Sequence, residues 1–313
     1  MKASNNINGV GNIPSHTAGG LGSVWDIHHN DGLTPYMNAM VTKIVHELNG
    51  FDNVIYQPSI EPTYGKGAAG TVISNTFDSN TIANIVAAEA DLSIKHLISQ
   101  NEVKGPPLAN VTVLSWDGPS LDLIRSYHSK NKPLSYDELT YSGITDFPYR
   151  RAGWEWIIAG GAVYNMLDLT FTPDQEDGSK IIPPKTSLGK ESIGGGGPAL
   201  RNQLRILKDF IHGFDFLRMK PDNSVIKGGV PDKHRAHALV EAGRQYAIYI
   251  DGGGQANLAL DLPVGEYRVE WLSPLTGGIA KHETVKHPGG SVTLASPADA
   301  EDVALRIRRV SGF

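Results

Sequence analysis

The 313-residue chain reads as an α/β domain with a parallel, barrel-type sheet followed by a small antiparallel β-sandwich. Three observations predict this. Short runs rich in β-branched and aromatic residues alternate with helical patterns through the first two thirds of the chain. Those runs end in polar residues at their C-terminal tips, where parallel α/β sheets gather function. From about Arg218 the pattern changes to short alternating runs divided by Gly, Pro and Asp, as in an all-β unit. The expected domains are therefore 1–217 and 218–313.

Asn5 to Asp31 is rich in Gly, Asn and His and has no sustained periodicity, so it reads as a loop longer than the roughly 15 residues usual in a compact domain. His28 and His29 beside Asp26 and Asp31 lack metal-ligand spacing, and no metal is expected there. Thr34-Pro35 opens a helix to about Asn49, with Met37, Met40, Val41, Ile44, Val45 and Leu48 on one face. Asn53 to Pro62 follows as a short buried strand running into a loop that carries Glu61, and Pro62 is expected to hold Glu61 extended. A helix over roughly Asn80 to Ala90 precedes a strand from His96 to Asn101. Val111 to Asp117 is the next strand, Pro119 to about His128 a helix, and Lys132 to Glu138 a fourth strand. Tyr149 to Ile158 is helical, and Ala162 to Thr172 reads as a fifth strand with Asp168 near its end. The glycines from Gly189 to Pro198 lack a following GK[ST] and form a connection, not a phosphate loop; the helix Ala199 to His212 comes next. Seven or so strands in about 95 residues complete the chain as a sandwich.

Composition narrows the function classes. A net charge of −5 gives no electrostatic reason to bind nucleic acid. No apolar run approaches the roughly 20 residues of a membrane span, and the segment from Met1 lacks the apolar stretch of a signal peptide. The absence of cysteine removes disulfides, thiolate catalysis and Cys-ligated zinc. No cofactor is expected.

The candidate chemistry lies in two carboxylates. Glu61 and Glu138 end the first and fourth strands, and with two strands between them a parallel barrel would set them across its mouth. That suits a general acid and a nucleophile at a glycosidic bond. Asp137 points to the face opposite Glu138, because strand side chains alternate. Trp25, Tyr64, Trp116 and Tyr141 are candidate platforms for sugar rings, with core packing the alternative for Trp116. Asn101, Asp117, Tyr136 and Asp168 are further tip residues expected to contact substrate, with Asp168 alternatively bonding its own loop.

Asn53 to Pro62 resembles the fourth strand of the cellulase-like (β/α)8 retaining glycoside hydrolases, which ends in Asn-Glu-Pro with the Glu as acid/base. Lys132 to Glu138 resembles their seventh strand, whose terminal Glu is the nucleophile. Tyr149 to Thr172 is similar to a bacterial subgroup carrying a C-terminal β-sandwich described as a putative collagen-binding domain. The resemblance implies a partial TIM barrel lacking its first three strands, an oligo- or polysaccharide substrate, and a secreted or periplasmic location.

Two positions depart from the pattern. Ile60 stands where the family has the Asn that hydrogen-bonds the sugar 2-hydroxyl, and an apolar side chain makes no such bond. Trp116-Asp117 stands where the family commonly has His-Tyr. A carbohydrate- or surface-binding module without turnover is therefore the alternative. The implied open sheet edges would favour association with another chain.

Overall fold

A computed structural model describes residues 3–5, 7–13, 21–62, 67–103, 105–139, 142–185, 194–298 and 301–310. Tyr64, Tyr141 and residues 189–193 of the Gly-rich connection lie outside the described residues. The chain forms two compact units, one of residues 1–117 and 130–135, the other of 118–129 and 136–313.

The first unit contains α1 (Thr34–Leu48), β1 (Ile55–Tyr56), α2 (Gly67–Ala88), β2 (Leu97–Asn101) and β3 (Val113–Asp117). β1 and β2 pair in parallel with Ile55 opposite Leu97, and β2 and β3 with Ser99 opposite Val113. Phe77, Ile82, Ile85, Ile98, Val113 and Leu114 are buried here. Three expectations need correction. β1 is only two residues long and its Ile55 is exposed. In α1 the predicted apolar face is largely open: Val45 is buried, whereas Met40 and Ile44 are exposed. α2 begins thirteen residues earlier than its periodicity indicates, because its first half is rich in Gly, Ser, Thr and Asn and carries no apolar stripe. Packing supplies what propensity lacks: Phe77 is buried, and Asn80 Nδ2 donates to Asn38 Oδ1 of α1 at 2.8 Å.

His96, at the entrance to β2, is fully hydrogen-bonded. Nδ1 meets Glu89 Oε1 at 2.6 Å and Nε2 meets the Phe51 carbonyl at 2.7 Å. Both partners are acceptors, so the ring is satisfied only as the doubly protonated imidazolium. The Phe51 carbonyl and then the Glu89 carboxylate raise its pKa.

The second unit holds α3 (Leu121–Tyr127), the end of β4 (Leu134–Glu138), α4 (Asp146–Ile158), β5 (Val163–Tyr164) and α5 (Pro198–His212). It continues with β6 (Lys220–Pro221), β7 (Ile226–Gly228), β8 (Ala236–Glu241), β9 (Gln245–Asp251), β10 (Asn257–Leu262), β11 (Gly265–Leu272), β12 (Ile279–His287), β13 (Gly290–Ala295) and β14 (Asp302–Arg309). The parallel sheet takes its strands in sequence order, β1-β2-β3-β4-β5. That is the order of a (β/α) barrel wall; a doubly wound sheet would reverse direction part-way. The expected fifth strand is a two-residue ladder, although Asn165 and Leu167 still donate to the carbonyls of Tyr136 and Leu139 at 2.7 and 3.4 Å.

The later strands form antiparallel sheets in the orders β13-β10-β7 and β12-β11-β14-β9-β8-β6. Ile248, Leu258, Leu260, Val269, Trp271 and Leu305 fill one core. The opposite face of the six-stranded sheet, with Ala247, Tyr249, Leu272 and Ala304, packs on Trp154 and Ile158 of α4 and on Ile206, Phe210 and Ile211 of α5. The Trp154 ring stacks on Tyr249 at 5.4 Å. Among the described residues no helix is long and apolar enough to cross a membrane.

A buried ion pair joins these layers. Arg150 Nε donates to Asp302 Oδ2 at 2.9 Å, and both side chains are 1% exposed. Burial pushes the Asp302 carboxyl up against the opposing pull of Arg150. Removing Asp302 takes two hydrogen bonds from the buried guanidinium and leaves it only the half-exposed Glu301 as an acidic partner among the described residues. Asp302→Ala is therefore expected to cost about 3–5 kcal/mol in chemical denaturation. The raised pKa of His96 predicts stability that is full below its unfolded value near 6.5 and is lost as pH rises through the folded value. Thermal melts across this range should show the decline in the native chain and a flatter profile in Glu89→Gln.

Candidate active site

At the tips of β1, β2 and β3, short polar side chains form a connected chain. The Ser115 hydroxyl donates to Gln57 Oε1 at 2.8 Å, and Asn101 Nδ2 donates to Ser115 Oγ at 3.4 Å. Asn101 Oδ1 then accepts the backbone N–H of Glu61 at 2.9 Å. Asn101 and Ser115 are buried, so these bonds form where water does not compete. On either side the loop is fastened again: Ser59 Oγ donates to the buried Asp78 at 2.8 Å, and Ser74 Oγ donates to the Pro62 carbonyl at 2.6 Å.

Glu61 itself has φ +45°, in the left-handed region. The extended conformation expected from Pro62 does not occur, and this conformation brings its N–H to Asn101. A non-glycine residue there stores strain of order 1–3 kcal/mol and persists only where its surroundings enforce it. The Glu61 residue is exposed, and its carboxylate has no hydrogen-bonding or ionic partner among the described residues. The neighbouring strand tip has the same backbone feature: Glu102 has φ +50° and donates its N–H to the Ser115 carbonyl at 2.8 Å. Trp116 and Asp117 are half-buried at the end of β3. Gln57, Asp78, Glu102 and Ser115 were not singled out from the sequence, because isolated polar residues at loop junctions carry no periodicity or motif.

The second unit carries Glu138, half-buried at the end of β4. Its carbonyl accepts the Gly118 N–H at 3.0 Å, while its carboxylate has no hydrogen-bonding or ionic partner among the described residues. A half-buried carboxylate left open at a strand tip is available to a ligand. Tyr136, two residues earlier, is buried with its ring edge-on to Trp156 and Tyr164 at 5.5 and 5.4 Å. Asp168 accepts from the Thr170 N–H at 3.0 Å and from Arg201 Nη1 at 2.8 Å. Burial raises its pKa, and the bonds from Thr170 and Arg201 outweigh that and hold it below the usual carboxylate value. Asp168 thus ties its loop to α5. In the N-terminal segment His29 Nδ1 pairs with Asp26 at 3.0 Å. Among the described residues no three acidic or imidazole groups converge as a metal site.

No family model matches the chain, and none of the curated proteins matches it. Solved structures do. A glycoside hydrolase superposes with TM-score 0.60 at 15% identity over 88% of this chain and 69% of its own length. A glycoside hydrolase family 5 protein from Bacteroides vulgatus gives 0.60 at 15% identity, over 87% of this chain and 65% of its own. A family 30 subfamily 8 xylanase from Clostridium acetobutylicum gives 0.56 at 10% identity, over 98% and 77%. The chain is therefore shorter than these proteins, and the likeness is one of fold.

The strain at Glu61 is measurable. Glu61→Gly relieves the positive φ and is expected to leave global stability unchanged or raise it by up to about 1 kcal/mol in urea titrations. Asn101→Ala leaves the Glu61 N–H unpaired and is expected to lower stability by about 1–3 kcal/mol.

Proposed function

We propose that the chain acts on O-glycosidic bonds of an oligo- or polysaccharide by a retaining mechanism, with Glu138 as nucleophile and Glu61 as acid/base. In the first half-reaction the Glu138 carboxylate forms a bond to the anomeric carbon as the glycosidic C–O bond breaks, and the Glu61 carboxyl donates its proton to the departing oxygen. In the second, Glu61 takes a proton from water, which attacks the anomeric carbon and releases Glu138. In this reading residues 1–217 supply the chemistry and 218–313 form an accessory sandwich. The observation that carries it is the strained, fastened backbone of Glu61, whose N–H is held by the buried Asn101 while its carboxylate is left open. The fold shared with glycoside hydrolases supplies the substrate class.

Ile60 favours a second reading, in which the protein binds a glycan without turning it over. Its side chain is 51% exposed immediately before Glu61 and offers no hydrogen bond to a sugar hydroxyl. The two readings part in one experiment. Incubation with a panel of activated 2-fluoro glycosides followed by peptide mass mapping should place the covalent label on Glu138, and Glu138→Gln should abolish turnover of the matching aryl glycosides. A label on another residue overturns the nucleophile assignment. Binding of a glycan with no turnover in the native chain supports the second reading. Under the enzymatic reading Ile60→Asn should raise kcat/KM by about tenfold, because a hydrogen bond strengthened in the transition state contributes of order 1.4 kcal/mol.

A further inference from the structure

Two neighbouring strands of the six-stranded sheet place three guanidinium groups around one carboxylate. In β11 and β14 the side chains of Val269, Trp271, Leu305 and Ile307 enter the core between the sheets. Alternation sends Arg268, Glu270, Arg306 and Arg308 to the opposite face. The register sets Arg268 directly across from Arg308 and Glu270 across from Arg306. Arg268 Nη2 reaches Glu270 Oε1 at 2.6 Å, and Arg306 Nη1 reaches Glu270 Oε2 at 3.4 Å.

The Arg308 guanidinium has neither an ion pair nor a hydrogen bond among the described residues, and Arg306 Nε is buried without a hydrogen-bond acceptor. The cations are held in place by aromatic rings: Arg306 lies 5.0 Å over Phe210, and Arg308 lies 5.2 Å over Phe214. A recess of about 310 Å³ is lined by Arg268, Glu270, Ile279, Arg306 and Arg308.

Like charges directly opposite on antiparallel strands are destabilising, and a single carboxylate leaves two of the three positive charges uncompensated. Burial, followed by the charge of Arg306, lowers the pKa of Arg308 from its ordinary value. An anion in the recess would relieve this. We propose that the face binds the oxyanion of an acidic glycan, a carboxylate or sulfate group held between Arg268, Arg306 and Arg308. Planar guanidinium forks match the paired oxygens of such groups. Ile279, 48% exposed on the wall of the recess, offers an apolar surface to a sugar ring. The oxyanion site stands on this geometry alone; that a glycan carries the oxyanion rests on the carbohydrate reading above.

Titration calorimetry and thermal shift on the full chain, at fixed ionic strength in chloride, test the proposal. The probes are a uronic-acid hexasaccharide, a sulfated oligosaccharide, a neutral hexasaccharide and inorganic sulfate. At least one acidic oligosaccharide should bind and the neutral one should not. Arg308→Gln and the more exposed Arg268→Gln should each weaken that binding by about tenfold or more. Arg308→Gln should not lower the melting temperature of the ligand-free protein, because it removes a repulsion and no ion pair, whereas Arg268→Gln also removes the pair with Glu270; a purely structural role for Arg308 would lower it. Arginine-dependent binding of inorganic sulfate without either acidic oligosaccharide keeps the oxyanion site and overturns its assignment to a glycan. Binding of the neutral oligosaccharide as tight as the acidic ones, or no binding above chloride by any probe, overturns the proposal.

Discussion

The unit that carries Glu138 depends on the burial of Arg150. Its guanidinium donates to both oxygens of Asp302, to Glu301 Oε2 at 2.6 Å and to Gln203 Oε1 at 2.8 Å. Gln203 passes the network to Asp146 Oδ2 at 2.7 Å, and Tyr249 donates its hydroxyl to Asp302 at 2.9 Å. One cation therefore links α4, α5, β9 and β14. A hydrophobic interface alone would tolerate sliding of helices over the sheet. These directional bonds allow one register, because any slip leaves a charge buried without its partner. The consequence reaches the candidate site through α4: Tyr149, adjacent to Arg150, donates its hydroxyl to the Gly143 carbonyl at 2.6 Å and so fixes the segment that follows Glu138.

The same face of β14 shows how charge is handled as cover thins. Its even-numbered residues are Asp302, Ala304, Arg306 and Arg308. Asp302 lies in the buried network, and Ala304 is small enough for the helices to pack directly on the sheet. Arg306 and Arg308 lie over Phe210 at the end of α5 and Phe214 just beyond it. An acid is thus buried where a helix supplies its cation, and two cations emerge where the aromatic shelf ends. The two Asp302 oxygens are fully engaged by Arg150 and Tyr249, so no acid from this strand reaches the arginines.

Much of this was legible in the sequence, and the omissions have physical causes. The strands ending at Asn101, Asp117 and Glu138 were readable because buried strands need apolar runs and chemistry needs polar tips. α5 was readable because its core face repeats at helical spacing through Leu200, Leu207 and Ile211. The first half of α2 was not, since Ser, Thr and Asn are ambiguous until tertiary contacts select the helix. Met40 and Ile44 promised a core face that the fold leaves open. The arginine cluster was invisible because Arg268 and Arg308 lie forty residues apart and meet only through strand register. Tyr136 read as a substrate contact near a strand tip, yet its ring is buried against Trp156 and Tyr164; periodicity places a residue on a face without saying what covers that face.

Glu61 shows where local rules yield to a site. A residue before proline is steered toward extended backbone, and the Cβ of a glutamate disfavours positive φ. Both preferences are overridden at this one position, and the forces that override them can be named. Asn101 is anchored by its place in β2 and offers one acceptor to the Glu61 N–H. Ser59 and Ser74 fasten the loop before and after it. If the loop only needed closing, a glycine at position 61 would adopt this conformation at no steric cost. The structure instead retains a residue that is strained there, and the carboxylate it presents is bonded to nothing else in the described protein. Three separate tethers maintain this strain, and together they fix where the open carboxylate is presented.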